Sequence, residues 1–189
     1  MATEIELKAW VDDPQAIRDK IDTFAEFIKA YQKVDTYWLP IAELKSNKEN
    51  HKRGRLGSGV RVRQENGKTF ITVKKKEVRE EMEINDELEF EVSDSRSFEA
   101  FLTALDFTPW IRKSKEGTAW RWKNITIELS QVQKIGWFVE LEILAETINT
   151  EQVAQAREDL LSCLNRIGIP RTKIESRYYT ELLIERGLV

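Results

Sequence analysis

Residues 4–9, Glu-Ile-Glu-Leu-Lys-Ala, alternate ionised and apolar side chains without a break, and this limits the chain more than any other feature of its sequence. Residues two apart lie on nearly opposite sides of a helix but on the same face of a strand. Residues 3–10 therefore read as a strand with Glu4, Glu6 and Lys8 on one face and Ile5, Leu7 and Ala9 on the other. One such strand would be an ordinary solvent-facing edge of an antiparallel sheet. The pattern returns, however, at Arg61 and Arg63, at Lys74 and Lys76, at Glu87 and Glu89, at Lys113 and Lys115, at Glu128, and at Glu140 and Glu142. So many charged faces require a shared surface.

If these strands form one strongly curved sheet, the apolar faces pack under helices and the charged faces line a common channel. A barrel of about eight strands has just enough interior for side chains or one small ligand. Carboxylates enclosed together need cations, and enclosed lysines and arginines need anions. Glutamate oxygens suit Mg²⁺ or Mn²⁺, while Arg and Lys suit phosphate oxygens, so a metal-polyphosphate complex answers both demands.

Composition excludes the main competitors. The chain has 33 acidic and 30 basic residues among 189, a net charge of -3. It lacks the basic excess of a dedicated nucleic-acid binder and the large net charge of a disordered polyelectrolyte. With 41% apolar residues, six Trp and eight Phe it can fill one sizeable core, so a single domain over 1–189 is expected. The lone Cys163 fits a reducing compartment and a packing role. No run of about 18 apolar residues and no leader-like start is present, so the expectation is a cytoplasmic monomer or homodimer without nucleic-acid or membrane partners.

Along the chain, Asp12 or Asp13 before Pro14 starts a helix that Ile17, Ile21, Phe24, Ile28 and Tyr31 continue to about residue 31. A strand at 34–39 and a polar loop at 45–59 follow. Strands 60–64 and 69–75 meet at Asn66-Gly67, a hairpin signal. An acidic strand at 79–92 reads as interrupted near Asn85-Asp86, and Ser93 or Asp94 caps a second helix. Strands at about 110–115, 118–123, 124–130 and 137–144 come next. A helix from Asn149 or Thr150 stops at Gly168 and Pro170, and a short helix at 176–186 closes the chain. The order indicates an α+β fold with a mainly antiparallel sheet.

These residues resemble a known family. Glu4-Ile5-Glu6-Leu7-Lys8 resembles the ExExK signature of the CYTH family, the triphosphate tunnel metalloenzymes, which includes class IV adenylate cyclases and thiamine triphosphatases. Arg61-Val62-Arg63, Thr72-Val73-Lys74, the run Glu87 to Glu91, Lys113 and Lys115, the run Ile135 to Glu142, and Tyr179 to Leu183 follow in the family's order. The resemblance implies an eight-stranded antiparallel β-barrel, a triphosphate tunnel with helices packed outside. It further implies metal ligation by Glu4, Glu6, Glu140 and Glu142, with Glu89 as the mid-chain acid, and phosphate binding by Lys8, Arg61, Arg63, Lys74, Lys113 and Lys115. Lys8 and Lys74 are the candidate catalytic lysines, with Mg²⁺ or Mn²⁺ as cofactor.

Two departures shape the functional expectation. Ser130 stands where the family usually has Asp, and Glu128, on the same strand face, is the candidate substitute metal ligand. The His-Phe pair found upstream of ExExK in bacterial-type cyclases is also missing. Hydrolysis of an inorganic or organic triphosphate is therefore favoured over conversion of ATP to cyclic AMP and pyrophosphate, and a non-catalytic polyphosphate-binding module is the remaining alternative. His51, in the polar loop, reads as solvated. Trp110, Trp120, Trp122 and Trp137 read as packing or rim residues, and Lys173 and Arg177 equally as phosphate contacts or as surface residues.

Overall fold

The computed structural model describes residues 2–46, 59–79, 82–145 and 150–188. His51 and most of the predicted polar loop lie outside them. Eight antiparallel strands close into a barrel: β1 (Ala2–Val11), β2 (Glu26–Pro40), β3 (Val60–Glu65), β4 (Lys68–Arg79), β5 (Met82–Val92), β6 (Phe107–Trp122), β7 (Ile125–Val132) and β8 (Gly136–Ala145). Their order around the barrel is β1-β5-β4-β3-β2-β6-β7-β8. Closure leaves no sheet edge exposed for pairing with another chain.

Among the described residues five α-helices flank it: α1 (Pro14–Asp22), α2 (Ile41–Ser46), α3 (Ser95–Ala104), α4 (Thr150–Arg166) and α5 (Tyr179–Glu185). Asp13 caps α1 by accepting a hydrogen bond from Ala16 N at 3.1 Å, with Pro14 at the first helical position. Asp94 caps α3 through the amides of Arg96 and Ser97. Gly168 ends α4 at φ 82, a left-handed conformation that costs glycine little. None of the helices is long and apolar enough to cross a membrane among the described residues.

The main core lies between the barrel wall and helices α1 and α4. Ile5 and Leu7 of β1, Ile127 of β7 and Leu141 of β8 pack there with Ile21, Leu160, Cys163 and Leu164. Each fully buried Leu or Ile contributes roughly 1.5–3 kcal/mol. Cys163 is a packing residue, and burial pushes its thiol up to about 12. α3 covers a second cluster at Trp38, Val62, Ile71 and Leu102.

Three expectations are corrected. The first helix ends at Asp22 rather than about residue 31, because Phe27 to Tyr31 pair with Trp120 to Gly117 as the start of β2. Long-range pairing overrides the helical spacing of their apolar residues. The segments predicted on either side of residue 116 form one strand, β6, and Pro109 sits in it next to a bulge opposite Tyr37 and Trp38. β5 runs through Asn85-Asp86 unbroken, because its residues pair with β1 on one side and β4 on the other.

Candidate active site

Because strand side chains alternate, register decides which of them meet inside the barrel. Glu6 of β1 lies opposite Glu142 of β8 and Glu83 of β5, while Lys8 lies opposite Glu140, which in turn faces Glu128 of β7. Lys74 of β4 faces Glu87 of β5. Across the barrel, Asp35 of β2 faces both Arg63 of β3 and Lys113 of β6. The result is a polar cavity of about 160 Å³ that has room for several water molecules.

One end of the barrel is closed. Trp10, Tyr37, Ile111, Val132 and Phe138 continue the inward-facing rows, and α5 seals them with Tyr179, Leu182 and Leu183. The Tyr179 ring packs edge-on against Phe138 and lies 5.1 Å from Lys8 Nζ and 4.7 Å from Lys113 Nζ. Glu175 anchors the segment before α5: its amide bonds the Lys8 carbonyl at 2.8 Å and its carboxylate accepts from Trp10 Nε1 at 3.0 Å. Arg177 pairs with Glu175 and Glu185 and Lys173 with Asp12, so neither reaches the cavity.

The cationic wall is built on Asp35. Its buried carboxylate accepts from Arg63 Nε at 2.7 Å and Arg63 Nη2 at 2.9 Å, and lies 3.1 Å from Lys113 Nζ. Burial disfavours the Asp35 charge, but Arg63 and Lys113 outweigh it and hold the pKa well below the ordinary range. Glu128 collects Tyr31 at 2.8 Å, Lys33 at 2.7 Å and Lys115 at 2.9 Å. Lys115 also pairs with Glu140. Burial and the neighbouring Lys115 lower Lys33 to about 8, so it is the most readily deprotonated cation of the wall. Arg61 bonds Thr72 at 3.0 Å and Glu89 at 3.3 Å, while its buried Nε has no partner among the described residues.

The acidic wall is unevenly compensated. Lys8, one of the partners of Glu83, donates to it at 2.9 Å, and Lys74 pairs with Glu4 at 2.6 Å and with Glu87. Burial opposes the Lys8 charge, yet Glu83 and Glu6 raise its pKa and keep it protonated. Glu6 and Glu142 make no side-chain hydrogen bond or ion pair among the described residues. Burial, followed by repulsion from Glu83 and Glu140, pushes Glu6 up to about 8. Burial, followed by Glu4 and Glu128, pushes Glu142 to about 7. Glu140 goes the other way, to about 2, because Lys115 overcomes its desolvation.

This donor set suits a hard divalent cation: carboxylate oxygens, with Glu6 and Glu142 raised by burial and then by neighbouring carboxylates, a repulsion that added positive charge relieves. Among the described residues no three acidic groups converge closely enough to hold a metal ion, because lysines occupy several of their oxygens.

All twelve residues singled out from sequence line this one cavity: Glu4, Glu6, Lys8, Arg61, Arg63, Lys74, Glu89, Lys113, Lys115, Glu128, Glu140 and Glu142. Glu89 sits at the rim with a side chain 40% exposed, whereas Glu87 lies deeper at 13%. Glu91 pairs with Lys68 outside. Ser130 is fully buried and its hydroxyl is unpartnered among the described residues. Sequence reasoning missed Lys33, Asp35, Tyr37 and Glu83. The alternation of Tyr31, Lys33, Asp35 and Tyr37 carries the signal, but the sequence reading splits it between a helix to about residue 31 and a strand at 34–39.

A family model for the CYTH domain matches residues 2–179. A protein of Methanocaldococcus jannaschii whose name proposes an adenylate cyclase is 25% identical over 189 residues, 98% of this chain and 99% of its own. The solved PH1819 protein of Pyrococcus horikoshii OT3 is 26% identical with a TM-score of 0.79, covering 97% of this chain and 99% of that one. An adenylyl cyclase candidate from Hippeastrum, described as revealing a dominant triphosphatase activity, superposes with a TM-score of 0.65 at 18% identity over 100% of this chain and 97% of its own. At that identity the likeness speaks for the fold.

Proposed function

The chain belongs to the CYTH family, and on that premise we propose that it binds a triphosphate-containing small molecule in the closed-ended barrel and hydrolyses it, with Mg²⁺ or Mn²⁺, to release orthophosphate. The observation that carries the reading is one cavity in which Lys8, Lys33, Arg61, Arg63, Lys74, Lys113 and Lys115 surround a small volume while Glu6 and Glu142, raised by burial and by neighbouring carboxylates, make no ion pair among the described residues.

Arg61, Arg63, Lys113 and Lys115 hold phosphate oxygens, with Asp35 fixing the guanidinium of Arg63 and the ammonium of Lys113 beforehand. Such preorganisation lowers the reorganisation needed as charge builds on the transferring phosphoryl group. Lys8, kept protonated, and Lys74 serve as the catalytic lysines by stabilising that charge. Glu4, Glu6, Glu140 and Glu142 are the metal-holding carboxylates, assisted by Glu128 and the rim residue Glu89. When bound, the metal supplies positive charge to the phosphates. Tyr179 and the apolar plug exclude bulk water from the closed end.

The second reading, cyclisation of ATP, is favoured by the name of the Methanocaldococcus jannaschii relative. The third, binding without turnover, is favoured by Ser130, whose buried hydroxyl offers no charge where the family usually has Asp. Incubating the protein with ATP, inorganic triphosphate and thiamine triphosphate and either metal separates them by product. Orthophosphate is expected, cyclic AMP as main product would install the cyclase reading, and tight binding without product the third.

A further inference from the structure

Asn85 is 1% exposed, and neither its Oδ1 nor its Nδ2 has a hydrogen-bond partner among the described residues. It occupies the inward-facing row of β5 between Glu83 and Glu87, both of which line the cavity, and lies directly opposite Glu4 of β1. A buried carboxamide with both atoms unsatisfied is costly, about 1–3 kcal/mol for each group left unpaired.

We propose that Asn85 is a further ligand residue of the acidic wall, contributing its neutral carbonyl oxygen to a divalent cation held beside Glu4 and Glu6. This rests on the proposed metal-dependent reading of the cavity. The chemistry favours a cation over a phosphate at this position. Glu83 and Glu87 flank it on its own strand and Glu4 faces it on β1, carboxylates that pair with Lys8 and Lys74, while Lys76 is its register partner on β4; the carboxylate oxygens on the β1 side are the groups that attract a metal. A fifth carboxylate there would add repulsion, whereas an amide oxygen is a hard ligand that adds none.

Mn²⁺ titration of the ligand-free protein, followed by electron paramagnetic resonance, tests this without relying on turnover, alongside thermal melting in chelator. Asn85→Leu is expected to melt at or above the wild-type temperature in chelator and to bind Mn²⁺ at least about tenfold more weakly, while Asn85→Asp retains Mn²⁺ binding. Unchanged Mn²⁺ affinity in Asn85→Leu, with binding still lost in Glu6→Gln, would overturn the role of Asn85 alone. A clear drop in the chelator melting temperature of Asn85→Leu would mark a structural amide and overturn it as well. Absence of Mn²⁺ binding by the wild type would remove both this inference and the metal reading beneath it.

Discussion

Glu6→Gln should make the ligand-free protein more stable while removing its activity. Glu6 is enclosed with Glu83 and Glu142 in cross-strand register, and its pKa rises from 4.5 to about 8. The folded state therefore binds a proton that the unfolded chain releases, so stability falls as pH rises from about 4.5 to about 8. At pH 7 the gap above 4.5 is about 2.5 units, or about 3 kcal/mol at 1.36 kcal/mol per unit. Gln is nearly isosteric with the protonated acid and removes only the ionisation. Lys8 keeps Glu83 as its partner in the variant. For a chain of this size that gain corresponds to about 6–12 °C in melting temperature. Thermal melts of both proteins in chelating, phosphate-free buffer should show the difference at pH 7–8 and its disappearance near pH 4.5. A lower melting temperature at pH 8, or a gain that ignores pH, would refute the idea that like charges are enclosed here without a cation.

Asp35→Asn should destabilise by about 3–5 kcal/mol, because Arg63 and Lys113 then stay buried without their anion; chemical denaturation checks it. The depressed pKa of Asp35 means that its stabilisation is present above the ordinary carboxylate range and is lost as pH falls well below it, which acid titration of the wild type would show. Glu4→Gln should fold nearly as the wild type yet lose turnover, whereas Lys8→Ala should lose both turnover and stability, since the buried Glu83 then loses its ion pair with Lys8. Tyr179→Ala removes the ring against Phe138, Lys8 and Lys113 and should cost about 3–5 kcal/mol in a melt.

The alternation that made β1 legible also exposed most of the site, because a two-residue period tells which side chains share a face wherever the strand assignment is right. It failed at β2. There the apolar residues Phe24, Ile28 and Tyr31 are spaced like a helix, and only pairing with β6 shows that Tyr31, Lys33 and Asp35 point inward. It failed differently at Asn85, whose turn-prone type suggested a break that two neighbouring strands override.

By itself the sequence determined an antiparallel sheet with one charged face, most of the residues on that face outside β2, and that acids and bases must be matched within one interior. Only the tertiary structure decided the partners. Barrel closure sets Lys8 against Glu83 and Asp35 between Arg63 and Lys113, and it leaves Glu6 and Glu142 unmatched. It also lets α5 seal one end. The reason is physical: facing is a local property with a fixed period, whereas the energy of a buried charge depends on distances across the barrel between residues far apart in the chain.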